Sequence, residues 1–144
     1  SYESSTRIYP ADHRHRVAAA TALGGCLGKL DRRDEALGIL NACLSGIIGS
    51  SSFSDGHGAS ALAEQLVILG DAPQAIRAFK LAEPLLPARD AGRLAVVRLK
   101  LGLLLRREHP QEAEGWIERA MPDLSPNLAR TAQQALDEIH GVKK

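Results

Sequence analysis

The segment LAEQLVILGDAPQAIRAFKLAEPLLP, Leu62 to Pro87, constrains the fold of this chain more than any other, because the chain repeats it. It reads as two amphipathic helices joined at a Gly70-Asp71 corner. Leu62, Ala63 and Leu66 recur one period upstream as Leu23, Gly24 and Leu27, and one period downstream as Leu101, Gly102 and Leu105. On the second helix, Ala75, Phe79 and Ala82 are matched upstream by Ala36, Leu40 and Cys43 at the same period. Downstream they are matched by Ala113, Ile117 and Ala120 at a period one residue shorter. The small residues in these columns, Gly24, Ala63 and Gly102 with Ala36, Ala75 and Ala113, let two helices approach closely, and Leu and Phe fill the space around them. Such a hairpin cannot bury its apolar stripe alone. Neighbouring copies must therefore share a core, which is why repeats of this length imply a solenoid.

The order of these residues resembles the tetratricopeptide repeat (TPR) family. In that family a Leu-Gly pair, a large residue three further on and a Gly corner are followed by Ala, an aromatic and Ala on the second helix, and by a closing Pro. The middle copy carries Leu62, Ala63, Leu66, Gly70, Ala75, Phe79, Ala82 and Pro87 in that order. The first copy has Asp31 at the corner and Cys43 for the last Ala, and the third has a corner one residue shorter, containing His109 and Pro110. The period of 39 exceeds the usual TPR length of about 34, which matches the long-period variant. The resemblance covers residues 17–121 and implies an all-α fold: an α-solenoid of three TPR-like helix-turn-helix hairpins plus a C-terminal capping helix. The 144 residues then form one domain, with an N-terminal tail over 1–10, repeat 1 over 11–45, a flexible loop over 46–57, repeat 2 over 58–87, repeat 3 over 90–122 and the capping helix over 125–140.

Local signals place the elements. From Asp12, Val17, Ala20, Leu23, Leu27 and Leu30 fall at steps of three and four and form the inward stripe of the first helix. Asp31 is the expected N-cap of the second helix, which carries Ala36, Leu37, Leu40, Cys43 and Leu44 inward. Residues 45–58, SGIIGSSSFSDGHG, are rich in Gly and Ser and read as an inter-repeat spacer. Asp71 and Gln74 have the spacing of a capping box, and Asp90 is placed to cap the helix that follows Pro84 and Pro87. Ser125-Pro126 opens a last helix whose stripe is Leu128, Ala132, Ala135, Leu136 and Ile139, ended by Gly141. Its other faces are polar, as a capping helix requires.

Composition excludes several functions. With 18 basic and 17 acidic residues the net charge is +1, which gives no basic surface for nucleic acid. One Trp, two Tyr and two Phe offer no stacking platform for single strands. No apolar run approaches the ~18 residues of a membrane span and no charged-then-apolar leader opens the chain, so a cytoplasmic protein with no membrane contact is expected. Cys26 and Cys43 fall in helical pattern and read as buried free thiols. The five His, at 13, 15, 57, 109 and 140, show no paired ligand spacing, and no nucleophile elbow or phosphate-binding Gly loop is present. No metal, cofactor or catalytic residue is therefore expected, and no enzyme.

In the TPR family the first helix of each hairpin lines the concave groove. The resemblance thus implies a groove formed by Thr21, Gly25, Gly28 and Lys29 from the first copy, His57, Ser60, Glu64 and Val67 from the second, and Val96, Leu99, Lys100, Leu103 and Arg106 from the third. The helix over 92–105 is apolar almost all round, which leaves Val96, Leu99 and Leu103 over after the core columns are assigned. Either that face is groove or the C-terminal helix covers it. The Lys and Asn pattern of the family's chaperone-tail clamp is missing, so an apolar or mixed peptide suits the groove better. The expected function is a protein-protein interaction scaffold that binds a peptide or helix of a partner protein. The alternative is a regulatory or oligomerisation module of a larger enzyme, sensor or transcription regulator, with helix 92–105 set against a second copy in a homodimer.

Overall fold

Where the sequence places helix-capping residues and corner glycines, the backbone turns. The computed structural model describes residues 10–49 and 55–141, with side chains in the first helix from Val17 onward. Residues 1–9 of the expected tail and 50–54 of the expected spacer lie outside the described residues. All regular structure among the described residues is helical: α1 (Pro10–Lys29), α2 (Arg33–Ile48), α3 (Gly56–Ile68), α4 (Ala72–Ala82), α5 (Ala91–Leu105), α6 (Pro110–Ala120) and α7 (Pro126–Ile139), with short 3-10 turns at Glu83–Leu85 and Met121–Asp123. The chain divides into two compact units, Ser1–Leu85 and Leu86–Lys144.

In the first unit α1 packs against α2, α3 against α4, and α3 also against α1 and α2. Close approach explains the small columns: a Cβ on Gly24 would stand 2.9 Å from Leu40 Cδ2, a side chain that is itself fully buried. Val17, Ala36, Leu40, Leu62, Ala63, Leu66, Ala75 and Phe79 are fully excluded from water. Burying Phe79 alone stabilises the unit by about 3 kcal/mol relative to leaving it exposed. In the second unit α5 packs against α6 and α7 against α6. Ala95, Leu99, Ile117, Ala120, Ala132, Ala135 and Leu136 form its core, with Leu103, Leu128 and Ile139 packed against it.

The corners share one geometry. Gly70 has φ +84°, and Asp71 N–H donates to Leu66 O at 2.9 Å while Gly70 N–H donates to Val67 O at 3.0 Å. This is the left-handed helix end that favours glycine. One period upstream, Asp31 takes the same conformation with φ 62°, and Arg32 N–H donates to Leu27 O at 2.8 Å. Asp31 is therefore the end of α1 and not, as the sequence suggests, the N-cap of α2; Arg32 holds that cap position, its side chain donating to Glu35 Oε1 and not capping the helix's first amides. Asp55, Asp71 and Ser125 do cap, accepting from Gly58, Gln74 and Leu128 backbone N–H at 3.0, 3.4 and 3.4 Å. The Asp71–Gln74 box is only half made, because Gln74 Oε1 accepts from Arg77 Nη1 at 2.9 Å. Asp90 sits at its N-cap with no side-chain bond to the helix's first amides.

Several residues depart from the sequence expectation. α2 runs on to Ile48, with Ile47 buried, and α3 opens at Gly56, so the spacer is shorter than 46–57. Leu23 and Leu30, read as inward, are 49% and 67% exposed, because the described residues place no helix against that side of α1. Cys26 is exposed and Cys43 half-buried, and neither forms a disulfide, so the thiols are not sequestered as the sequence suggests. Leu37, also read as inward, is half-buried.

Candidate functional site

A groove of about 760 Å³ runs along the first unit between α1 and α3. Its α1 wall is Val17, Ala18, Thr21, Ala22, Gly25, Cys26, Gly28 and Lys29, and its α3 wall is Gly58, Ala61, Gln65, Ile68 and Leu69, with Asp55 and His57 at the N-terminal end. The spacing builds it. Ala18, Ala22, Gly25 and Lys29 advance by steps of four, three and four, as do Ala61, Gln65 and Ile68 by four and three, so each set lies along one helix face. Small residues keep both faces low. A Cβ on Gly25 would meet Gln65 Oε1 at 3.4 Å, and one on Gly28 would meet Leu69 Cδ2 at 3.0 Å.

The walls are mainly apolar, with polar groups spaced along them. Thr21 Oγ1 donates to Val17 O at 2.7 Å, so its hydroxyl proton is already committed to the helix. Ile68 is 73% exposed and forms an apolar lip. Lys29 supplies a cation at one end and the Asp55 carboxylate lies at the other, which gives the groove a direction. Such an arrangement can desolvate apolar side chains of a ligand while orienting its charged ends.

The sequence-derived groove residues divide. Thr21, Gly25, Gly28, Lys29 and His57 line this groove together. Ser60 is 5% exposed and turned into the protein, Glu64 is half-buried, and Val67 is 41% exposed but not among the lining residues. In the second unit, Leu99 is 2% exposed and belongs to the core built with Ala132, Ala135 and Leu136 of α7, and Leu103 packs against that core. Val96 and Lys100 are half-buried. Arg106 reaches α7, its Nη1 lying 3.3 Å from Glu138 Oε2. Of the two sequence readings of this face, coverage by the C-terminal helix is the one found for Leu99 and Leu103, because α7 supplies the apolar surface they need.

Sequence reasoning passed over Ala18, Ala22, Ala61, Gln65 and Ile68. The only signal for Ala18 and Ala22 is a line of small residues at helical spacing beside Thr21 and Gly25, and for Ala61, Gln65 and Ile68 only their helical spacing. Among the described residues no three His, Cys, Asp or Glu side chains converge to hold a metal ion, and no described helix is long and apolar enough to cross a membrane. No known family model matches the chain, and neither does any curated protein.

Proposed function

We propose that the chain is a TPR-like helical-repeat scaffold, an α-solenoid of three hairpins closed by a capping helix, which binds an apolar or mixed peptide or helix of a partner protein. The observation that carries the reading is the α1–α3 groove. Residues from two successive copies of the repeat, Thr21, Gly25 and Lys29 with His57, line one apolar channel. First helices of adjacent hairpins forming a groove is the arrangement that the resemblance to the TPR family implies. Helix-in-groove and peptide-in-groove recognition both require low walls with an apolar floor and few oriented polar groups. The protein performs no chemistry in this reading. It acts by holding a partner.

A peptide-display selection against the purified chain tests it, using random linear peptides as the probe. Selected peptides should bind wild type and lose at least tenfold in affinity for Ala61→Glu, which puts a carboxylate on the exposed α3 wall without touching the core. Ala22→Glu on the opposite wall repeats the test. Peptides that bind both variants as well as wild type would remove the groove as the site.

A further inference from the structure

Of the polar side chains in the α1–α3 groove, Gln65 is the one that the repeat does not explain. It lies part-way along the groove, half-buried, with its Oε1 the atom nearest to a Cβ built on Gly25, at 3.4 Å. Thr21 has its hydroxyl proton committed to Val17 O, and the Asp55 carboxylate accepts from Gly58 N–H. The Gln65 amide makes no hydrogen bond to the protein among the described residues. One period away the same column holds Cys26 upstream and Leu104 downstream, side chains that pack without a hydrogen bond. Gln65 thus brings two N–H donors and a carbonyl acceptor into a mainly apolar groove where the fold uses none of them.

An occupant that displaces water from that amide must replace its hydrogen bonds or lose affinity. A helix has its backbone amides paired internally, and at about 10–12 Å across with side chains it holds them off the groove floor. An extended segment carries one free N–H and one free C=O per residue. These match a primary amide, since Gln65 Oε1 can accept from the one while Nε2 donates to the other. Ala18, Ala22 and Ala61 keep the walls low enough for a backbone to come down to it. From Ala18 to Lys29 the helix rises about 16 Å, which is the length of about five extended residues. Charge distinguishes the ends: Lys29 makes no ion pair among the described residues, and the opposite end holds the Asp55 carboxylate.

We propose, on the reading that this groove is the binding site, that it takes an extended segment of about five residues and not a helix. Gln65 holds one peptide unit of the segment by a pair of hydrogen bonds, and an acidic side chain of the segment lies at the Lys29 end. Gln65 is then a specificity residue. It selects the conformation of the partner, while Lys29 selects its charge and direction.

The probes are blocked linear heptapeptides selected from a random library on the whole chain, with affinity read by fluorescence anisotropy. Gln65→Leu, which returns the column to its apolar character, should leave the melting temperature unchanged or higher and lower affinity at least tenfold. On wild type, N-methylation of one interior peptide bond should cost as much, and on Gln65→Leu the same methyl group should cost little more. The wild-type methylation scan stands in if the variant misfolds. Lys29→Glu should weaken a selected acidic peptide several-fold and recover the loss when that peptide's acidic residue is replaced by lysine. Far-ultraviolet circular dichroism should show no helicity gained on binding. Suppose that selected peptides are blocked by Ala22→Glu and Ala61→Glu, yet gain helicity, tolerate N-methylation at every position or bind Gln65→Leu as tightly as wild type. The proposal is then overturned and the groove reading stands. Peptides indifferent to Ala22→Glu and Ala61→Glu would remove the groove, and this proposal with it.

Discussion

Arg33 donates from Nε to the backbone carbonyl oxygen of Leu69 at 2.6 Å. One side chain at the start of α2 thereby satisfies an acceptor at the end of α3, where the last carbonyls of a helix have no partner of their own. It ties the corner of one hairpin to the corner of the next.

Removing that tie should be measurable. Arg33 is about half exposed, so the charge-assisted bond contributes less than a buried one. Arg33→Ala should lower the unfolding free energy by about 1 kcal/mol, read as an earlier denaturant midpoint at unchanged slope. An unaltered midpoint would show that water replaces the guanidinium without loss.

The corner at Asp31 offers the opposite sign. It adopts φ 62° where the equivalent Gly70 adopts φ +84°, and a residue with a Cβ is strained in that conformation. Asp31→Gly should raise stability by about 0.5–1 kcal/mol, seen as a melting temperature higher by a few degrees. A lower melting temperature would mean that the Asp side chain supports the turn.

Glycines in helices separate by what surrounds them. A Cβ on Gly102 would collide with the Ile117 side chain and come within 3.0 Å of Ala113 O, whereas Gly38 and Gly115 face open space. Gly102→Ala should cost about 1–3 kcal/mol, while Gly38→Ala and Gly115→Ala should each stabilise by about 0.5–1 kcal/mol. Chemical denaturation of the three variants checks both signs at once.

Ala75→Glu tests the second-helix column. Ala75 is fully buried, as are Ala36 and Ala113, and a carboxylate there has no room and no partner. A loss of about 3–5 kcal/mol is expected, and cooperative unfolding at the wild-type midpoint would contradict the packing.

Leu103→Asp decides the role of the α5 face. With Leu103 packed against the core that α7 completes, the substitution should destabilise the protein by about 1–3 kcal/mol. A groove residue would instead leave the melting temperature nearly unchanged.

The helices were legible because their signals are local. Small residues at fixed spacing, Asp71 and Ser125 at N-caps and Gly70 and Gly141 at left-handed ends all announce themselves within a few residues. Exposure was less legible, since it depends on what lies beside a helix. Leu23 reads like Leu62 in sequence, yet Leu62 is buried and Leu23 is half exposed. Leu99 and Leu103 looked spare until α7 was seen to share their core, a contact with a distant part of the chain that periodicity cannot report. On the α1 wall of the groove, Thr21, Gly25, Gly28 and Lys29 are residues that the resemblance names, and Val17, Ala18, Ala22 and Cys26 are not, whereas Ala61 and Gln65 gave no signal beyond their spacing.

The two 3-10 turns extend the repeat beyond the columns first recognised. Glu83–Leu85 and Met121–Asp123 fall at equivalent places in successive copies and each has proline at its centre, Pro84 and Pro122. Proline lacks the amide hydrogen that an α-helix needs there and its ring crowds the carbonyl four residues before. α4 and α6 accordingly stop at the same length, 11 residues. The first copy has Ser45 in that position, and α2 continues to 16 residues. A single ring thus acts as punctuation: with it the hairpin's second helix closes at a fixed length, and without it the helix overruns its phrase.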